Sequence, residues 1–275
     1  MKTQTVMAVA RKDWVEVRQN PSAWAPMLVV PLIFIVLLPL AFFLIPPAAG
    51  IQASSLGSDA DLRLFLEHMP PSVADSLQGL DDFQKILVLM LGYFFAPMFL
   101  ILPLMFSSVI GSESFAGEKE RKTLEALLYT SATDFELFLG KVLAAFIPAV
   151  GISWLSFGVY TLVVNLAGLA VFPQAWFPLP GWWPLIFWVT PAVALLSISA
   201  TVLISARART FMGAYQSSAS LVLLVLALVA GQAAGVLYLT VGMGLLVGLL
   251  FWVVAVALTL LAVKGFNRTA LLVNK

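Results

Sequence analysis

The chain has 275 residues, of which 61% are apolar and 11% charged; a soluble domain averages about half and about a quarter, so an ordinary soluble domain is excluded in favour of one built for lipid. Fifteen Lys and Arg against 14 Asp and Glu leave a net charge of +1, which gives no reason to expect a nucleic-acid partner. Cysteine is absent and His68 is the single histidine, so disulfides, thiolate catalysis, thiolate metal sites and a histidine metal cage are excluded together.

Residues 1–21 come first in chain order. Val6, Val9, Ala10, Trp14 and Val17 recur at helical spacing while Arg11, Lys12, Asp13, Glu16 and Arg18 take the remaining positions, the pattern of an amphipathic helix. It is expected to lie in the membrane interface, with Trp14 as anchor and Arg11, Lys12 and Arg18 reaching toward anionic lipid. A passive anchor and an active lever both fit. Asn20 and Pro21 end it.

Crossing a hydrocarbon core of about 30 Å takes roughly 20 helical residues. Six charge-free stretches reach that length: Ala25 to Ile45, Ile86 to Ile110, Val142 to Leu166, Trp182 to Ile204, Phe211 to Ala230 and Val236 to Val263. The first reads as a span rather than a cleavable signal peptide, because more than 20 residues precede it and Pro46 and Pro47 follow it. The last two form nearly one run and are divided at Gly231, Gln232 and Gly235, since Gln232 needs a wet or paired position. Between the first two spans, residues 46–85 form an extracytoplasmic loop. Asp61 to Met69 and Ser72 to Gln78 read as two short helices separated by Pro70 and Pro71, with Leu62, Phe65, Leu66 and Met69 on one side. They could cap the outer end of a pathway, and His68 reads as an ordinary surface or packed histidine rather than a ligand.

The inner loop, 112–141, holds 10 of the 29 charged residues. Glu118 with Lys122, and Arg121 with Glu125, stand at i, i+4 spacing, and Leu124, Leu127 and Leu128 share a face, which predicts a short amphipathic helix with surface ion pairs. Thr133 and Glu136 then form a capping box, with Asp134 in the first turn of a helix that runs through Lys141 into the third span. The expected shape is a hairpin protruding from the membrane. Docking to a cytoplasmic partner and a solvated hairpin without one are both open at this point.

Beyond it, Trp176, Phe177, Trp182, Trp183 and Trp188 cluster with prolines around the second outer loop and read as an interfacial belt, with a cofactor or substrate cage as the minor alternative. Hydroxyls and amides inside the spans, among them Ser107, Ser108, Ser156, Asn165, Gln216, Ser217 and Ser220, are either helix-packing groups or the lining of a translocation path. With six spans both termini share a side. That side receives 13 of the 15 basic residues, which places both termini in the cytoplasm. The outer face is mildly acidic, a solvated loop or, less favoured, a cation-gathering vestibule.

The fold class is therefore all-α integral membrane: six transmembrane helices, an N-terminal amphipathic interfacial helix and a cytoplasmic hairpin between spans two and three. No Walker A pattern occurs, so the chain is not expected to hydrolyse ATP. No span carries an ionisable side chain in its interior, which counts against an ion-coupled secondary transporter or channel, for example one for Na⁺ efflux, and leaves that class as the alternative. A membrane enzyme would need convergent acids, bases or a nucleophile, and only scattered candidates such as Glu113 and Ser114 are present.

The run F-A-G-E-K-E-R-K-T-L-E-A-L-L-Y-T-S-A-T-D-F-E-L-F-L-G-K-V-L-A-A, Phe115 to Ala145, resembles the signature of ABC type-2 transporter permeases. Ala10 to Pro21 resembles that family's opening helix, and the six spans correspond along the whole chain. Glu118, Glu120, Thr123, Leu124 and Glu125 match its most characteristic positions and Gly140 with Lys141 its closing G-K, whereas Lys122 stands where many members have Gly and Ser131 where many have Pro. The resemblance implies one permease domain, 1–275, in the plasma or inner membrane. It also implies a coupling hairpin, 112–141, that contacts a separate ABC ATPase through Glu118, Glu120, Arg121, Lys122, Thr123, Leu124, Glu125, Leu128, Asp134, Glu136 and Lys141. A homodimer with two ATPase subunits is then expected to work as an exporter, ATP and Mg²⁺ being bound by the ATPase and no cofactor or metal by the permease. A pathway this apolar suits a hydrophobic or amphipathic cargo.

Overall fold

Each charge-free stretch supplies the core of a helix in the computed structural model, which describes residues 3–48, 69–123, 132–208 and 210–265, although the last helix begins at Val241 rather than at Val236. Leu124, Glu125, Leu128, Ser131, His68 and most of the expected helix ending at Met69 lie outside the described residues. The order is α1 (Thr3–Gln19), α2 (Met27–Pro46), α3 (Pro71–Ser76), α4 (Asp82–Glu120), α5 (Asp134–Gly168), α6 (Trp182–Arg207), α7 (Phe211–Ala233) and α8 (Val241–Lys264). Six of these, α2 and α4 to α8, are long and apolar enough to cross a membrane. The described residues contain no strand.

Two helices are far longer than their charge-free cores. α4 has 39 residues and α5 has 35, roughly 58 and 52 Å at 1.5 Å per residue, so both extend well past a hydrocarbon core of about 30 Å. The inner end of α4, Ser112 to Glu118, is buried. Its charges do not stop the helix because they are met by protein. The expected hairpin thus begins as a continuation of α4, and a wide π-helical turn at Glu113–Gly117 adjusts the direction of its last side chains.

α4 and α6 form the centre, with 72% and 83% of their spanning windows buried, while α2 and α7 at 17% and α8 at 28% lie at the perimeter. Ser108 on α4 and Ser197 on α6 share a hydrogen bond of 2.9 Å across this central contact. Beneath the loop between α5 and α6, Trp182, Tyr160, Phe177, Phe157 and Phe99 pack with ring centroids 4.8 to 6.4 Å apart. Trp182 donates to the Gly92 carbonyl at 2.6 Å and Tyr160 to that of Leu91 at 2.7 Å. Trp182 therefore belongs to the core rather than to an interfacial belt, whereas Trp183 and Trp188 are exposed. Asn165, expected among packing or pathway groups, clamps that loop: its amide donates to the Phe177 carbonyl at 2.7 Å and accepts from the Trp176 and Phe177 N–H groups at 3.1 and 3.2 Å. Gln232, expected to be wet or paired, is buried and its amide has no partner among the described residues.

α1 differs most from expectation. Its apolar face, Val6, Val9 and Val17, is buried by protein, and α1 packs along α5. The approach is close at Gly140, where a Cβ would lie 2.9 Å from the Val9 Cβ and 3.0 Å from the Val6 carbonyl oxygen. Trp14 is half-buried against the core, and Lys12 turns inward. Only Arg11 and Arg18, of the four expected lipid contacts, are exposed.

Candidate functional site

The helical spacing that buries Val9 and Val17 places Asp13, four residues from each, on the same apolar stripe. A buried carboxylate must find partners. Asp13 accepts from the Ser114 hydroxyl on α4 and pairs with the Lys141 amine on α5 at 3.4 Å. Lys141, 0% exposed, also donates to Glu118 Oε2 and to the Ser114 carbonyl, each at 2.6 Å, and its amine sits 5.4 Å from the centre of the Phe115 ring. Lys12 closes the group from the solvent side, donating to Glu118 Oε1 and pairing with Glu16 at 3.0 Å. Three helices are thus joined by a buried charge cluster.

Charge within this cluster is nearly balanced but not uniform. Burial pushes the Asp13 carboxyl above its ordinary range, and the nearby Glu118 carboxylate adds to that; Lys141, Ser114 and Lys12 offset it only in part. Burial pulls the Lys12 amine down, yet Glu118, Glu16 and Asp13 more than compensate and hold it above its ordinary value. Carboxylate oxygens of Asp13, Glu16 and Glu118 come within 4.8 Å of one another. The Lys12 and Lys141 amines lie among them and meet their charge.

The residues after Glu118 extend the pattern. Lys119 donates to the carbonyls of Ala206 and Ala208 at 3.2 Å, closing the C-terminal end of α6. The Glu120 carboxylate accepts the Phe211 N–H at 2.8 Å, closing the N-terminal end of α7. Arg121 donates to Glu113 at 2.5 Å and to Glu16 on α1 at 3.2 Å, and Asn20 donates to the other Glu113 oxygen at 3.0 Å. Four consecutive side chains, Glu118 to Arg121, therefore fasten the end of α4 to α1, α5, α6 and α7.

Helix α4 then stops at Lys122, whose φ of 57° is left-handed. The Thr123 N–H donates to the Glu118 carbonyl at 3.0 Å and the Lys122 N–H to that of Lys119 at 3.2 Å, the paired bonds of a Schellman ending. Glycine adopts that conformation more readily than lysine does. Lys122 and Thr123 are exposed at the end of α4. On the returning arm the expected capping box is present: Thr133 accepts from the Glu136 N–H at 3.2 Å and Glu136 from the Thr133 N–H at 3.0 Å. Asp134 occupies the first turn of α5 as expected.

The predicted surface pair between Glu118 and Lys122 is corrected: Glu118 turns into the protein toward Lys141 and Lys12 because a buried site with two amines outcompetes a solvated one. Arg121 pairs with Glu113 and Glu16, and its expected partner Glu125 lies outside the described residues. Asp13, Glu16 and Lys119 are missed as site residues by sequence reasoning, and Glu113 and Ser114 enter it only as scattered candidates for a membrane enzyme, although the place of Asp13 on a hydrophobic stripe is a readable signal. The seven hydroxyl and amide candidates are not gathered into one place among the described residues. Ser107, Ser108 and Ser156 are buried, Asn165 clamps a loop, and Gln216, Ser217 and Ser220 are exposed on α7.

A sequence model of the family described as ABC-2 family transporter protein matches residues 7–267. No curated protein and no solved structure matches the chain.

Proposed function

The chain belongs to the ABC-2 transporter family and is an ABC-type transmembrane permease, and from that premise we propose that it is the membrane half of an ATP-driven exporter. Membrane subunits of this family lack nucleotide-binding motifs and generally pair with ATPase subunits. Two copies of the chain are proposed to associate with two ATPase subunits, which bind ATP and Mg²⁺, with both permease termini in the cytoplasm. The cargo is proposed to be hydrophobic or amphipathic.

The observation that carries this reading is the attachment of four helices through four consecutive charged residues. An ATPase pressing on the exposed tip at Lys122 and Thr123 would deliver its motion to α1, α5, α6 and α7 together, because Glu118 to Arg121 bond to all of them. In this reading the exposed tip receives the partner. Glu118 and Lys141, being buried, transmit rather than touch. Rigid-body tilting of helices about such a joint is an established way to alternate access.

The test uses the chain purified with its ATPase and reconstituted in vesicles. Reversing charge at the tip with Lys122→Glu and Thr123→Glu is expected to abolish capture of the ATPase while leaving the permease's own unfolding temperature unchanged. Unchanged capture and hydrolysis would remove the tip from the coupling surface. Efflux that collapses with an ion gradient and ignores ATP would overturn the exporter reading itself.

A further inference from the structure

A cleft of about 720 Å³ opens beside the inner ends of α6 and α7, lined by Leu203, Ile204, Arg207, Ala208, Gly213 and Ser217 among others. Its chemistry is graded along α6. Leu203 and Ile204 offer an apolar wall, and one turn further on Arg207 is exposed with no protein partner among the described residues. The Lys119 amine adds a second positive charge, bonded to the carbonyls of Ala206 and Ala208 that border the same cleft. Glu120, next to Lys119, has its carboxylate engaged by the Phe211 N–H.

Depth fixes what could use such a cleft. α6 has 26 residues, roughly 39 Å, more than a hydrocarbon core of about 30 Å needs, and its one charged side chain, Arg207, stands at its last position, which favours that end at the lipid headgroups. We propose that this cleft binds an anionic phospholipid from the leaflet on the hairpin side, the phosphate on Arg207 and an acyl chain along Leu203 and Ile204. A soluble phosphate would use the arginine and leave the apolar wall bare; a phospholipid matches both. The proposal depends on the membrane-spanning fold and is independent of the ATPase reading. It goes beyond a basic fringe on α1, since it names an open cleft between two spans.

The probe is a fluorescent phosphatidylglycerol titrated into the full-length chain in neutral detergent, with fluorescent phosphatidylcholine as the zwitterionic control. Arg207→Gln is expected to weaken phosphatidylglycerol binding about fivefold, the worth of one basic side chain at an anionic surface, and to leave phosphatidylcholine unchanged. Ser217→Trp, which fills the cleft from an exposed position, is expected to weaken the same binding without lowering the unfolding temperature. Equal phosphatidylglycerol binding by wild type and Arg207→Gln overturns the site, and displacement of the lipid by inorganic phosphate overturns the lipid as its occupant. Because the chain has no cysteine, Ser217→Cys is a clean reporter of a second copy seated there. Efficient disulfide cross-linking of two Ser217→Cys chains would overturn the proposal in favour of a protein interface.

Discussion

Replacing Lys141 by Met keeps the length of the side chain and removes the amine that holds three helices. Four acceptor contacts disappear: Ser114 O and Glu118 Oε2 at 2.6 Å, Ser114 Oγ at 3.3 Å and Asp13 Oδ2 at 3.4 Å. Removing one member of a buried ion pair costs about 3–5 kcal/mol, mostly because the surviving charge is stranded. Lys12 still reaches Glu118 and stands 3.6 Å from Asp13, so the lower end, about 3 kcal/mol, is expected. For a chain somewhat above 150–250 residues that corresponds to a fall of about 6–10 °C in unfolding temperature. Intrinsic fluorescence of the purified chain in detergent, followed during heating, reads it directly. Adding Glu118→Gln lowers the negative charge left around Lys12 alone, and the Glu118→Gln/Lys141→Met double variant is expected to recover about half of the loss, a non-additivity that neighbours in one network show. A Lys141→Met protein that unfolds within about 1 °C of wild type, or a double variant no better than the single, would show that the amine is not desolvated by this cluster.

Three further outcomes follow from the same geometry. Lys122→Gly removes the cost of a left-handed non-glycine residue and should stabilise the hairpin end by about 1 kcal/mol, seen as slower hydrogen exchange at the Thr123 amide. Gly140→Val should push α1 off α5, because the added Cβ meets Val9 and the Val6 carbonyl, and protease cleavage within residues 3–19 should accelerate while the spans stay intact. Lys12 titrates above its ordinary value of 10.5 in the folded chain, so its contribution is complete below that pH and is lost as pH rises past it. Wild type should therefore lose stability faster than Lys12→Gln on going alkaline above 10.5, and parallel curves would contradict the pairing.

Much of the fold was legible because lipid imposes a strict rule: a charge-free run of sufficient length has few other uses. The hairpin end of α4 was not, since Glu113 and Glu118 read as loop residues until their partners are known. Local spacing paired Glu118 with Lys122, whereas its partners Lys12 and Lys141 stand 106 and 23 residues away. An i, i+4 rule describes a helix in water and has no knowledge of another helix packed on top of it. Asp13 was readable in principle, as the one acid on the stripe of Val6, Val9 and Val17. Gly140 before Lys141 was readable too, a bare surface and then an anchor for the same crossing helix. The capping box at Thr133 was recovered fully, because all its parts lie within four residues.

Coupling through the charged run is tested most directly by Lys119→Ala and Glu120→Ala together, in the complete complex with its ATPase in sealed vesicles. These changes cut the bonds to α6 and α7 and leave the tip at Lys122 and Thr123 untouched. ATPase capture and basal hydrolysis are expected to persist while ATP-driven efflux falls sharply. Efflux that stays in its wild-type proportion to hydrolysis would contradict transmission through this clasp.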